Sequence, residues 1–225
     1  MSTGATFTVG LVQMRSGLTP QANRDTAVRL IEEAARAGAD YVQTPEMTNI
    51  LEIKRERLLA ALEPEESDQT LAALRALAHK LGIYLHVGSL AIKLSAEKAA
   101  NRSFLIDRKG DIVARYDKIH MFDVDLDGGE SYRESALYQP GRQAVVADTP
   151  WARLGLSICY DVRFPYLYRS LSKAGATVIL VPAAFTRQTG RAHWHILLRA
   201  RAIENLCYVV AAAQCGDHVL GRQTY

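Results

Sequence analysis

Short apolar runs alternate along the chain with stretches whose apolar residues recur every three or four positions, the rhythm of a layered α/β domain. Residues 7–14 (FTVGLVQM) are almost unbroken in apolar character and predict a first strand buried on both faces. Residues 23–37 follow, with Ala27, Leu30, Ile31, Ala34 and Ala35 on one helical stripe that stops at Gly38. A short strand at 40–44 ends at Pro45. A helix at 68–81 carries Leu71, Leu74, Leu77, Ala78 and Leu81 before Gly82 at its C-cap, and a strand follows at 83–92. Two hairpins are expected: 103–107 with 111–116 around Arg108-Lys109-Gly110, and 143–147 with 154–159 around Thr149-Pro150-Trp151. A helix at 166–173, a strand at 177–181 closed by Pro182, a helix at 195–205 and a strand at 208–214 complete the pattern. The polar stretches 117–141 and 183–192 read as loops of the length that usually carries function. No repeat, low-complexity tract or linker interrupts the series, so a single domain over 1–225 is expected.

Composition narrows the function classes. Lys and Arg number 27 against 24 Asp and Glu, and +3 over 225 residues is too thin for a nucleic-acid or anionic-membrane surface. With 48% hydrophobic and 23% charged residues, wholesale disorder is excluded. The three cysteines, Cys159, Cys207 and Cys215, are odd in number and lack C-x-x-C spacing, which argues against a disulfide framework or a zinc ribbon. Residues 1–8 show neither a basic nor an apolar leader region, and no apolar run approaches the ~20 residues of a membrane span. A cytoplasmic protein without membrane or nucleic-acid partners is the expectation. The Asn101-Arg102-Ser103 sequon then reads as chance.

Chemistry-bearing residues gather at strand ends. Cys159 closes the strand at 154–159, just before the polar turn Tyr160-Asp161-Val162-Arg163, where α/β sites collect. Taken alone it reads first as a buried structural thiol. Glu46 follows Pro45 at another strand end, and Lys118 lies just past a hairpin strand in Tyr116-Asp117-Lys118-Ile119-His120. Asp123, Asp125, Asp127, Gly128 and Glu134 match the calcium-loop pattern D-x-D-x-D-G-x5-E. The flanks, however, show no helix pair, and Glu130 stands where a hydrophobic residue pairs such loops. His193 and His195 are two apart and point away from each other on a helix. No G-x-S-x-G elbow, Walker loop or G-x-G-x-x-G occurs, so a serine triad and nucleotide use lack support.

In order along the chain stand Thr44-Pro45-Glu46-Met47, Tyr116-Asp117-Lys118-Ile119-His120, Glu134-Ser135, and Ile158-Cys159-Tyr160-Asp161-Val162-Arg163-Phe164-Pro165. Pro182-Ala183-Ala184-Phe185-Thr186, and His193-Trp194 through Arg199-Ala200-Arg201-Ala202-Ile203-Glu204-Asn205, follow. This series resembles the carbon–nitrogen hydrolases of the nitrilase superfamily from about residue 7 to the last, and most of all their deaminated-glutathione and ω-amidase branch. Tyr166 departs from the family's usual Glu, and the family pattern continues past Tyr225 with further strands, so the chain is expected to be C-terminally incomplete.

The resemblance implies a four-layer αββα sandwich and a catalytic group of Glu46, Lys118 and Cys159, with Glu134 as a second carboxylate. It implies a homodimer or higher homo-oligomer, and no metal or organic cofactor. A thiol of pKa ~8.5 is mostly protonated at neutral pH, so Glu46 would take its proton and return it to departing ammonia. Burial raises the Glu46 pKa and Lys118 lowers it, and the sequence leaves that balance open. Lys118 and the Tyr160 N–H would hold the oxyanion, and a thioester on Cys159 would be hydrolysed to the acid. Phe185, Thr186, His193 and Trp194 would wall the pocket, and Arg187 or Arg191 would grip a substrate carboxylate. The expected substrate is a small ω-amide, deaminated glutathione first and α-ketoglutaramate second. An N-carbamoyl amide hydrolase and a calcium-binding or scaffold protein on a decayed hydrolase fold are the alternatives.

Overall fold

The computed structural model describes residues 6–126, 129 and 131–225. Strands β1 (Val9–Leu11), β2 (Tyr41–Gln43), β3 (Tyr84–Lys93), β4 (Ala99–Ile106) and β5 (Ile112–Asp117) form one sheet in that order. The first three run parallel, and β3, β4 and β5 run antiparallel. A hairpin of β6 (Asp123–Asp125) and β7 (Ser131–Arg133) follows. The second sheet is built from β8 (Val145–Asp148), β9 (Arg153–Leu156), β10 (Val178–Leu180) and β11 (Tyr208–Val210), ordered β11-β10-β9-β8. A small hairpin of β12 (Gly216–Asp217) and β13 (Gln223–Thr224) comes last. The helices are α1 (Pro20–Arg36), α2 (Arg55–Ala61), α3 (Gln69–Leu81), α4 (Pro165–Lys173) and α5 (Arg187–Asn205).

Local chemistry sets the helix ends. Pro20 opens α1, where its missing N–H costs nothing. The Asp68 carboxylate accepts the Leu71 N–H at 2.7 Å at the start of α3, and Gly82 takes the left-handed conformation past its end (φ 64°).

The period-2 alternation of the strands sorts the core into layers. Val42, Leu85, Val87, Phe104 and Ile106 pack beneath Ala27 and Ile31 of α1 and Leu71, Leu74 and Leu77 of α3. Tyr41, Leu105 and Tyr116 instead share a cluster with Leu154 and Leu156 of the second sheet. On that sheet's other side, a Cβ on Gly155 would stand 3.1 Å from Leu171 of α4, so the glycine lets the helix settle closely. The result is the αββα order. One polar node lies between the sheets: Gln43, His86 and Ser103 are bonded in series (2.9 and 2.6 Å), and Gln43 Oε1 accepts the Ala212 N–H at 3.0 Å. Burial drives the His86 pKa down to about 3, which keeps the ring neutral at neutral pH.

The structure corrects three expectations. The first strand spans three residues rather than 7–14, and as the sheet's edge it leaves Leu11 51% exposed instead of buried on both faces. Helix α5 begins at Arg187, not at 195, so residues 187–192 of the expected loop 183–192 are helical. Its buried stripe is Gly190, Trp194, Arg201 and Asn205, too polar for a hydrophobic-periodicity reading to register. The polar stretch 117–141 contains the β6–β7 hairpin. Helix α2, seven residues long with only Leu58 buried, is too short to show a period.

Candidate active site

Glu46, Lys118 and Cys159 all lie one to three residues beyond the carboxyl ends of strands, after β2, β5 and β9 respectively. The first two come from one sheet and the third from the other. At the Glu46 turn, Met47 has φ 58° and its N–H donates to Ser89 Oγ at 3.0 Å, while the Ser89 N–H donates to the Pro45 carbonyl at 3.2 Å. Gly88 permits this contact: a Cβ there would stand 2.1 Å from the Thr44 oxygen and 2.6 Å from the Pro45 oxygen.

Cys159 opens a 3-10 turn over Cys159–Arg163, three residues past the strand rather than within it. Its φ of 48° is left-handed, a conformation that costs a non-glycine residue about 1–3 kcal/mol and persists only when its surroundings enforce it. Fully buried Asp161 supplies that enforcement. Its Oδ2 accepts the Ile158 N–H at 2.9 Å and the Tyr116 hydroxyl at 2.6 Å, and its Oδ1 accepts the His120 N–H at 3.0 Å and contacts His120 Nδ1 at 2.6 Å. The Cys159 N–H donates to the Pro182 carbonyl at 2.9 Å.

The three residues are 3%, 2% and 7% exposed, and their side chains converge in one cluster. Lys118 Nζ donates to Glu46 Oε1 at 2.9 Å and to Glu134 Oε1 and Oε2 at 3.0 and 2.9 Å. Asn101 Nδ2 donates to Glu46 Oε1 at 2.9 Å and to Glu134 Oε1 at 3.2 Å. The Ala184 N–H holds Glu46 Oε2 at 2.8 Å, and the Phe122 N–H holds Glu134 Oε2 at 2.7 Å. The Cys159 thiol and the Glu46 carboxylate lie close enough to act on each other's protonation.

The cluster settles the charge question the sequence leaves open. Burial pushes the Glu46 carboxyl up, but the Lys118 ammonium, the Cys159 thiol and the bonds from Lys118 and Asn101 together hold it below its usual range. Burial works against the Lys118 charge, and Glu134, Glu46 and Cys159 outweigh it, so its pKa is raised well above ordinary. Burial and the Glu46 charge push the Cys159 thiol well up, against the pull of Lys118. The resting state is therefore a carboxylate, an ammonium and a thiol.

A cavity of about 440 Å³ opens onto this cluster, with Glu46, Lys118, Glu134 and Cys159 in its lining. The six residues expected to bind substrate are not among those that line it. Trp194 is buried against Phe185 with ring centroids 5.0 Å apart, and the Thr186 hydroxyl meets that of Thr189 at 2.7 Å. Arg187 pairs with Asp217 at 2.9 Å, Arg191 is exposed, and exposed His193 sits 3.3 Å from Arg163. The early start of α5 explains this, since the helical period turns Arg191 and His193 off the buried stripe. The walls come instead from Met47 to Leu58, from β7 and from Leu220-Gly221-Arg222. The Tyr160 N–H is placed one peptide past the thiol.

Asn101 was hidden inside a meaningless sequon, yet a signal existed. When the strand pairing of the hairpin around Arg108 is extended backwards, Arg102 faces Asp117, and the Lys118 N–H donates to the Asn101 carbonyl at 3.0 Å. The calcium-loop acids are engaged otherwise: Asp123 accepts from Ser135, Asp125 pairs with Arg133, and Glu134 holds Lys118. Asp127, Gly128 and Glu130 lie outside the described residues.

A family model for the carbon–nitrogen hydrolases matches residues 8–225, and the chain belongs to that family. Within the nitrilase superfamily it is an amidase, hydrolysing a carbon–nitrogen bond of an amide. It is 44% identical to deaminated glutathione amidase of Yersinia enterocolitica, a match over 96% of this chain and 76% of that protein. The crystal structure of the Caenorhabditis elegans NitFhit protein superposes with a TM-score of 0.91 at 40% identity, covering all of this chain and 55% of that one. An amidase from Nesterenkonia sp. AN1, 28% identical with a TM-score of 0.83 over 97% of this chain and 82% of its own, has been captured after Michael addition of acrylamide at its active site cysteine.

Proposed function

We propose that the chain hydrolyses small ω-amides through a thioester on Cys159, with deaminated glutathione as first substrate and α-ketoglutaramate as second. The observation that carries this reading is the convergence of one thiol, one ammonium and two carboxylates at the inner end of a cavity, with Cys159, Lys118 and Glu46 buried and Glu134 partly so. Because the proton rests on sulfur and Glu46 is held ionised, its transfer is uphill and belongs to the attack itself. Cys159 Sγ adds to the amide carbon as its proton moves to Glu46, and the oxyanion develops beside Lys118 Nζ and the Tyr160 N–H. Collapse breaks the C–N bond, and the leaving nitrogen takes the proton back from Glu46. Ammonia departs from a primary amide, whereas deaminated glutathione, a substituted amide, releases the corresponding amine. Water then attacks the thioester, giving one proton to Glu46, which returns it to the Cys159 sulfur as the acid leaves. Glu134 fixes Lys118 in place by two oxygens throughout.

Turnover of both compounds and of an N-carbamoyl amino acid, followed by the appearance of the acid, tests the reading. Cys159→Ala is expected to lower kcat by about 10³-fold or more, the scale of losing a nucleophile. Turnover that survives this substitution refutes the thioester route, and a preference for the carbamoyl compound replaces the proposed acyl group.

A further inference from the structure

We propose that Arg222 binds the carboxylate of the substrate, so that the cavity selects short-chain acids bearing their amide at the far end. The inference rests on the amidase reading above and names the group that reads the substrate's charge. The β12–β13 hairpin presents the residue. A left-handed pair, Leu220 (φ 66°) and Gly221 (φ 82°), turns the chain, and the His218 N–H donates to the Arg222 carbonyl at 2.7 Å. The hairpin is in turn docked on the strand end beside the cluster, through the Thr186–Thr224 bridge and the Tyr225 N–H to the Phe185 carbonyl at 3.1 Å.

The guanidinium lines the cavity and lies over the ring of Tyr132, 5.7 Å from its centroid. Its Nη2 donates to the Ala184 carbonyl at 3.1 Å, and the N–H of that same residue holds Glu46, so arginine and catalytic carboxylate flank a single residue. Nε is buried without an acceptor, and Arg222 forms no ion pair among the described residues. The other arginines of the wall are differently placed: Arg133 is paired with Asp125, and exposed Arg55 donates to the Glu97 carbonyl. A half-buried guanidinium with idle donors is matched by a carboxylate, which accepts from two of them at once.

Electrostatics orients such a ligand. Glu46 and Glu134 against Lys118 leave the inner end one charge negative, and Glu52 adds a carboxylate to the wall. An anionic group is repelled from the cluster and drawn to Arg222, which leaves the neutral amide to meet Cys159. The acyl part common to deaminated glutathione and α-ketoglutaramate, a carboxylate separated from the amide by a short carbon chain, has this polarity.

The test compares wild type, Arg222→Met and Arg222→Lys in two assays. Calorimetric titration with 2-oxoglutarate, which carries no amide, is expected to weaken about 10- to 100-fold in Arg222→Met and less in Arg222→Lys, which keeps a donor and the charge. The ratio of kcat/KM for α-ketoglutaramate to that for uncharged butyramide is expected to fall at least about tenfold in Arg222→Met, chiefly through KM. Unchanged 2-oxoglutarate binding overturns the proposal, and so does an equal loss on both amides, which is what a merely structural role at Ala184 gives. Wild type that binds 2-oxoglutarate through Arg222 but cleaves neither amide sinks the amidase reading and leaves this one standing. Wild type that cleaves both amides with an unchanged ratio in Arg222→Met does the reverse.

Discussion

The inner end of the cavity and its mouth are both lined by ion pairs, yet the two are built on different physics. Inside, Lys118 bridges Glu46 and Glu134 with side chains 2%, 4% and 11% exposed, and each carboxylate oxygen has at least one donor. At the mouth, Arg133 and Asp125 form a two-pronged pair at 2.8 and 2.9 Å with side chains 53% and 72% exposed. Similar distances carry dissimilar consequences. Water and salt screen the outer pair, whereas the inner one is fixed in charge and geometry before any substrate arrives. Preorganisation resides at the inner end, and the mouth is free to vary.

Three substitutions sharpen this contrast. Lys118→Met has the largest expected effect, since it leaves two carboxylates facing each other without a cation. Loss of about 3–5 kcal/mol of unfolding free energy in urea is expected, with one carboxyl taking up a proton at neutral pH. A loss below about 1 kcal/mol would mean the inner charges are solvated after all.

Asn101→Leu removes a bond that favours ionised Glu46, so the carboxyl pKa must rise. In the wild-type chain that carboxyl is held below its usual range, and the acid limb of kcat/KM is expected below the ordinary carboxylate range as well. The variant's limb moves to higher pH, with kcat lower by about tenfold. The sign for stability runs the same way: a depressed carboxylate stabilises the fold above its unfolded pKa, and that contribution is lost as pH falls through the folded one. A limb that stays in place would separate Asn101 from the proton chemistry. Arg133→Ala has the smallest expected effect, with the melting temperature moved by no more than about one degree in calorimetry. A large drop would erase the distinction between mouth and inner end.

The same contrast governs what a reader of the sequence finds. Glu46, Lys118, Glu134 and Cys159 sit in motifs of fixed local form, where a proline ends a strand or a hairpin strand runs out, and the structure brings all four together. The layered α/β class is legible too, in the alternation of short apolar runs with helix-period stretches, whereas the αββα order comes from the family resemblance and shows in the structure as Tyr41 and Val42 facing different layers. The cavity wall was not. Asn101 joins the cluster through strand register, Arg222 through the docking of a remote hairpin, and neither leaves a local pattern. Helix α5 misled for the opposite reason: its buried face carries a glycine, an arginine and an asparagine, whose burial is satisfied by bonds such as Arg201 Nε to the Val162 carbonyl at 2.8 Å rather than by apolar character.

The residues that must act together arise from two sheets, Glu46 and Lys118 from one and Cys159 from the other, joined across a packed seam. Catalytic competence is thus a property of the docked pair of sheets and of neither alone. A compact, partly melted state that kept its helices and strands but let the seam loosen would retain its far-ultraviolet signature and lose the reaction. Activity therefore reports on the cooperativity of the whole fold.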